Sequence, residues 1–66
     1  MELRVNGEPR TLPDGTTVAA LVEQLGLQPG QCAAAVNLDF VPRSAYAQTV
    51  LRAGDQVEIV TPRQGG

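Results

Sequence analysis

The residues with the clearest chemical potential stand at the carboxyl end of the sequence. The last four are Arg63, Gln64, Gly65 and Gly66. Glycine has no side chain to obstruct a narrow active site, so a Gly-Gly end can approach a reaction partner closely. A free carboxylate is a poor electrophile and reacts with a nucleophile only after it has been activated. The Gly66 carboxylate is therefore the candidate reactive group, and residues 63–65 form the tail that delivers it.

Cys32 is the rival candidate for covalent chemistry. A thiol can carry a persulfide, but no basic residue lies close to Cys32 in sequence to favour the reactive thiolate. Cysteine is also among the residue types most often buried in protein cores. We therefore interpret Cys32 as core filling and keep the persulfide site as the alternative.

The composition argues against several functions. The 66 residues include no histidine and one cysteine, which excludes a Cys/His zinc site, an internal disulfide and Ser-His or Cys-His catalysis. Five basic residues against seven acidic ones form no cluster for nucleic acid. No apolar stretch is long enough to span a membrane, and the start lacks a signal-peptide pattern. We expect a cytoplasmic protein with no bound metal or cofactor, and one too small to be an enzyme by itself.

Hydrophobic spacing predicts one α+β domain over residues 1–61. Residues 2–6 alternate polar and apolar positions, and Asn6-Gly7 is typical of a tight hairpin turn leading to a return strand at 10–12. One short amphipathic helix follows, capped by Thr16 or Thr17 and ended at Gly26. Its apolar stripe, at positions i, i+3, i+4 and i+7, consists of Val18, Leu21, Val22 and Leu25.

The second half of the sequence predicts further strands. These lie at 33–37, 49–51 and 56–61, while residues 38–41 either extend the first of them or turn back from it. The first and last strands are expected to pair in parallel in the middle of the sheet. Pro62 ends the last strand, and residues 62–66 have no apolar anchor, so we expect a mobile tail there.

A tail of this kind needs a docking surface on the domain that carries it. Ordering each tail residue costs about 1–2 kcal/mol of backbone entropy, which the tail itself cannot offset. Strand alternation places Val60 on the solvent face, where either Leu38 or Phe40 joins it. We predict a partner interface that includes Val60, Phe40 and Arg43, although a scattered surface valine and a solvated arginine are the plainer alternatives.

Taken over the whole chain, the sequence also resembles a known family. The segments that carry the resemblance are Val5-Asn6-Gly7-Glu8, Thr17-Val18, Leu21-Val22, Leu25, Ala35-Val36-Asn37, Val41-Pro42-Arg43, Gly54-Asp55-Gln56-Val57-Glu58-Ile59-Val60 and Gly65-Gly66. They are similar to the sulfur carriers of thiamin biosynthesis and, more distantly, to the small subunit of molybdopterin synthase and to ubiquitin.

The resemblance implies a fold and a reaction. The fold would be a ubiquitin-like β-grasp, a mixed sheet packed on one main helix. An E1-like adenylating enzyme would activate the Gly66 carboxylate with ATP, and a sulfur donor fed by a cysteine desulfurase would convert it to a thiocarboxylate. Thiazole synthase would be the acceptor, and the chain would be a co-substrate.

Three alternatives stay open on the sequence. The chain resembles a molybdopterin-type carrier more weakly. A ubiquitin-like modifier would instead be joined through Gly66 to lysines of other proteins. A plain interaction domain would end in Gly-Gly incidentally and would be indifferent to the loss of Gly66.

Overall fold

The computed structural model describes residues 1–62, which form one mixed sheet and one main helix. In chain order the elements are β1 Glu2–Val5, β2 Glu8–Thr11, α1 Val18–Gln24, β3 Ala33–Val36, β4 Asp39–Val41 and β5 Gln56–Val60, with 3₁₀ turns at Pro29–Gln31 and Arg43–Gln48. The five strands are ordered β2-β1-β5-β3-β4. β1 and β5 pair in parallel, and the other neighbours are antiparallel. The predicted α+β class and the central parallel pair are confirmed.

The ends of α1 follow from two local signals in the sequence. Thr17, rather than Thr16, is the N-cap, and its side chain accepts a hydrogen bond from the Ala20 amide at 3.1 Å. At the other end Gly26 adopts φ 77°, and its amide donates to Glu23 O at 3.0 Å. Leu27 donates to Val22 O at 3.1 Å, which completes a Schellman motif. The predicted helix and its stop at Gly26 are confirmed.

The core lies between α1 and one face of the sheet. Strand alternation places every second side chain of β1 and β5 on the face toward α1, and the apolar stripe of α1 packs against them. The buried apolar side chains are Leu3, Val5, Leu12, Val18, Leu21, Val22, Ala34, Val41, Tyr46, Leu51, Val57 and Ile59. Only one face of the sheet is covered by α1, so the outward side chains of β5 and its neighbours remain available to a partner.

Three strand predictions need correction or completion. β2 begins at Glu8, and not after Pro9, because Pro9 lies on an edge strand where a missing N–H costs nothing. Residues 38–41 turn back, giving the antiparallel β4. Residues 49–51 form one isolated bridge instead of a strand, because their backbone groups are hydrogen-bonded to the start of α1. Thr49 O accepts from Val18 N at 2.9 Å, and Leu51 N donates to Thr16 O at 2.8 Å.

The two hairpin turns have the same backbone shape but different sequences. Asn6 and Gly7 have φ 55° and 83°, and Asn37 and Leu38 have φ 52° and 72°. Such two-residue turns favour Asn-Gly, because a residue with a Cβ is strained at positive φ. Leu38 is therefore strained, and its side chain is 90% exposed, so no packing within the described domain compensates.

Replacing Leu38 with glycine is expected to stabilise the domain. Relief of left-handed strain of about 1–2 kcal/mol, less the extra chain entropy of glycine, leaves a gain of roughly 0.5–1 kcal/mol. Urea unfolding followed by circular dichroism measures this gain. The reverse change, Gly7→Leu, is the matched control and should destabilise the first hairpin, since a Cβ there meets no atom within 4 Å and only backbone strain changes. A stability loss in Leu38→Gly would contradict the strain assignment.

Candidate functional site

The predicted tail follows directly from β5, the middle strand of the sheet. β5 ends at Val60 and leads through Thr61 and Pro62 toward the carboxyl end. Arg63, Gln64, Gly65 and Gly66 lie outside the described residues, so their assignment as a reactive tail remains a prediction. β5 is hydrogen-bonded to β1 on one side and to β3 on the other, so the residue from which the predicted tail extends is held by the sheet.

Asn6 and Asn37 hold β5 from its two neighbouring hairpins. The Asn6 side chain accepts from Ile59 N at 2.9 Å and donates to Ile59 O at 3.1 Å. The Asn37 side chain accepts from Gln56 N at 3.0 Å and donates to Asp55 Oδ1 at 3.0 Å. The sequence indicated Asn6 only as a turn former, and it placed Asn37 at the end of the strand predicted over 33–37. That strand ends at Val36, and Asn37 begins the turn to β4 with φ 52°. The side-chain partners of both asparagines are distant in sequence, and no local pattern reveals such bonds.

Val60 and Phe40 lie on the uncovered face of the sheet, as predicted. Val60 is 59% exposed and Phe40 is 71% exposed. Val60 pairs with Ala33, and Phe40 pairs with Ala35, so the two alanines join them into one apolar strip across β5, β3 and β4. Of the two residues proposed to join Val60, Phe40 does so. Leu38 lies at the β3–β4 turn, at the end of the sheet away from Val60.

The other half of the uncovered face is polar. Glu2 and Arg4 of β1 and Gln56 and Glu58 of β5 are exposed there, by the same alternation that exposes Val60. The apolar strip therefore has a charged border on one side. An apolar patch next to polar residues is common on surfaces that bind another protein.

Arg43 lies at the edge of the apolar strip. It begins the 3₁₀ turn after Pro42 and shares a shallow groove with Phe40 and Cys32. If Gly30 carried a Cβ atom, that atom would lie 2.9 Å from Arg43 Nη1. The guanidinium therefore packs against the backbone at Gly30. The fold thus brings Arg43 and Phe40 together, and it places a basic residue in the same groove as Cys32, which the sequence alone did not indicate.

Cys32 sits at the margin of the core and is half-buried. Its thiol donates to Gln28 O at 3.7 Å, and its carbonyl oxygen accepts from the Tyr46 hydroxyl at 3.2 Å. Burial raises the pKa of the Tyr46 hydroxyl, and the neighbouring Cys32 adds to the rise. Tyr46 therefore stays protonated and donates this bond. Cys32 thus packs against the edge of the core and is not fully buried, so the predicted core filling holds only in part.

Two features of residues 1–62 bear on other functions. No group of three or more His, Cys, Asp or Glu side chains is placed to hold a metal ion there. None of the helices in the same range is long and apolar enough to cross a membrane.

The arrangement defines a class of protein. A mixed sheet crossed on one face by a single helix, with its first and last strands parallel at the centre, is the β-grasp fold of ubiquitin-like proteins. The family model named ThiS family matches residues 3–66. The chain belongs to the ThiS family. The resemblance inferred from the sequence is thereby confirmed, and the family match includes the four terminal residues.

Individual relatives agree with this assignment. The sulfur carrier protein ThiS of Escherichia coli is 33% identical over 66 residues, which cover both chains completely. The crystal structure of the thiamine biosynthesis protein ThiS from Geobacter metallireducens has a TM-score of 0.84 at 30% identity, again with full coverage of both chains.

A second kind of relative is much longer than this chain. A protein of Paramagnetospirillum magneticum named thiazole synthase is 42% identical over 66 residues, and one of Magnetococcus marinus with the same name is 38% identical. The alignment covers all of this chain, which spans only 20% of the length of each thiazole synthase. A unit similar to this chain is therefore part of a larger polypeptide in both proteins.

Proposed function

We propose that the chain is the sulfur carrier of thiamin biosynthesis and that Gly66 carries the sulfur. The observation that carries the proposal is the ThiS family match, which includes Gly66. In the proposed reaction the Gly66 carboxylate attacks the α-phosphorus of ATP and releases pyrophosphate. The terminal sulfur of a persulfide on the donor then attacks the acyl carbon, and AMP leaves. A second thiol cleaves the S–S bond of the acyl disulfide so formed, which releases the thiocarboxylate and leaves a disulfide.

Partner proteins carry out the catalysis. An E1-like adenylating enzyme binds the ATP, a donor linked to a cysteine desulfurase supplies the sulfur, and thiazole synthase accepts it. The two longer relatives named thiazole synthase support that acceptor, because each contains a unit similar to this chain. The chain itself acts as a co-substrate, with no cofactor of its own, and works in the cytoplasm where the partner has ATP.

Deletion of the gene tests the biological assignment. The deletion strain is expected to need added thiazole for growth, and a plasmid copy of the full chain should remove that need. Loss of molybdoenzyme activity without a thiazole requirement would favour the molybdopterin-type carrier instead. Covalent ladders on other proteins that vanish in the strain would favour the modifier.

The sheet face beside the tail is the proposed docking surface. It consists of Val60, Phe40 and the two alanines between them, with Arg43 at its edge. Ordering a tail with little apolar surface costs free energy when a partner binds. Burial of an apolar strip that begins at Val60, two residues before Pro62, would offset that cost. Single exposed valines are common on protein surfaces, whereas an apolar strip continuous across three strands is typical of an interaction site.

Val60→Glu is expected to weaken binding to the adenylating enzyme at least about tenfold, since a desolvated carboxylate would replace an apolar contact. The melting temperature should change little, because Val60 is 59% exposed. Titration calorimetry measures the binding. Val50→Glu is the matched control, because Val50 is 52% exposed but lies beside the start of α1, away from this face. If Val60→Glu bound the adenylating enzyme as tightly as Val50→Glu and the parent chain do, Val60 would not be part of the interface.

A further inference from the structure

Asn6 ends the backbone contact between β1 and the strand that leads to the tail. Its amide donates to Val57 O at 2.8 Å, and the chain then turns away at Gly7. The parallel backbone ladder on this side of β5 therefore stops at Val57. The remaining residues of β5 would have no bonding partner on this side without a further group.

The Asn6 side chain supplies that group. A primary amide has the same donor and acceptor as a peptide unit, and Asn6 uses both of them on Ile59, accepting from N at 2.9 Å and donating to O at 3.1 Å. The bonds are partly buried and join residues 53 positions apart. In effect the side chain extends the β1 ladder by one more step toward the tail.

This contact supports the last part of β5 from the β1 side. On the other side of β5, the last pair is Ala33 with Val60. With Asn6 in place, β5 is held from both sides as far as Ile59. Without it, Ile59 would be bonded on the β3 side only, and we expect its backbone to be less ordered when the carboxyl end enters an active site.

We propose that Asn6 is a positioning residue for thiocarboxylate formation, acting by holding the tail-bearing end of β5 through Ile59. The inference rests on the proposed function of Gly66. Asn6 acts through its two bonds to Ile59. It fixes the point from which the tail extends and thereby shortens the segment that the partner enzyme must order.

The chain contains a matched control for this proposal. Asn37 has nearly the same backbone conformation, with φ 52° against 55° for Asn6, and it also holds β5 with its side chain. Its bond is to Gln56 N at 3.0 Å, at the end of β5 away from the tail. Loss of either side chain should loosen the sheet, but only loss of Asn6 frees the end that leads to Gly66.

The test compares Asn6→Gly with Asn37→Gly in the full chain. Glycine keeps the left-handed turn without strain, so each variant loses only the side-chain bonds. Thiocarboxylate formation is followed by intact mass with the adenylating enzyme, ATP and a sulfur source, at saturating carrier concentration. The value of kcat should fall about tenfold or more in Asn6→Gly and stay within about twofold of the parent in Asn37→Gly.

Two further measurements separate positioning from a general loss of stability. Hydrogen exchange of the Ile59 amide should quicken in Asn6→Gly and not in Asn37→Gly. Asn6→Asp tolerates positive φ and keeps the acceptor for Ile59 N, but it replaces the donor to Ile59 O with a second acceptor oxygen. Its kcat should therefore stay well below that of the parent, which shows that both halves of the amide are needed. Equal kcat in the two glycine variants would overturn the inference while leaving the proposed function intact. A parent chain that forms no thiocarboxylate would overturn both.

Discussion

One alanine added after Gly66 is expected to abolish thiocarboxylate formation and leave the melting temperature unchanged. The addition moves the terminal carboxylate onward by at most about 3.6 Å and puts a methyl group beside it. Adenylation requires the reacting atoms to lie within about 3–3.5 Å of each other, so such a displacement should be severe. Every described strand, the helix and the core precede the change.

The control for this experiment is binding. The extended chain should still dock on the adenylating enzyme through the Val60 face, which separates loss of chemistry from loss of recognition. Deleting Gly66 should have the same effect as adding alanine. An extended chain thiocarboxylated as fast as the parent, with no trimming visible by mass, would contradict the role of Gly66.

Leu21→Ala is expected to have the largest effect on stability. Leu21 is 0% exposed and lies at the centre of the α1 stripe against the sheet. Truncating a fully buried leucine costs about 3 kcal/mol, because the cavity that remains collapses only in part. A domain of 66 residues has a total stability of about 3–10 kcal/mol, so the loss takes up much of it.

Thermal unfolding measures the effect of Leu21→Ala. A loss of this size should lower Tm by about 12–24 °C in so small a domain. Glu23→Ala is the control, because Glu23 lies on the exposed side of the same helix and alanine is a good helix former. A loss below about 1 kcal/mol would show that the core rearranges around the smaller side chain.

Local patterns in the sequence predicted the elements that depend on local physics. The apolar spacing and Gly26 defined α1 and its end, because both act within a few residues of each other. Alternation placed Val60 outward and Val57 and Ile59 inward, since the period of a strand is fixed. The family match then confirmed the β-grasp fold that the whole-chain resemblance implied.

Features that depend on tertiary neighbours were missed. Residues 49–51 have the composition of a strand, but their backbone bonds go to Thr16 and Val18 at the start of α1. Arg43 and Cys32 are 11 positions apart and share a groove only because the 3₁₀ turn folds back. The bond between Asn6 and Ile59 spans 53 positions, and a turn dipeptide gives no sign of it.

The intact mass of the chain, after incubation with ATP, the adenylating enzyme and a sulfur source, tests the proposed function most directly. Conversion of the Gly66 carboxylate to a thiocarboxylate replaces one oxygen by sulfur, whereas a persulfide on Cys32 adds a whole sulfur atom and gives twice the mass gain. The expected result is the smaller gain, in the parent and in Cys32→Ala alike. The larger gain, lost in a folded Cys32→Ala variant, would contradict the assignment and move the sulfur to Cys32.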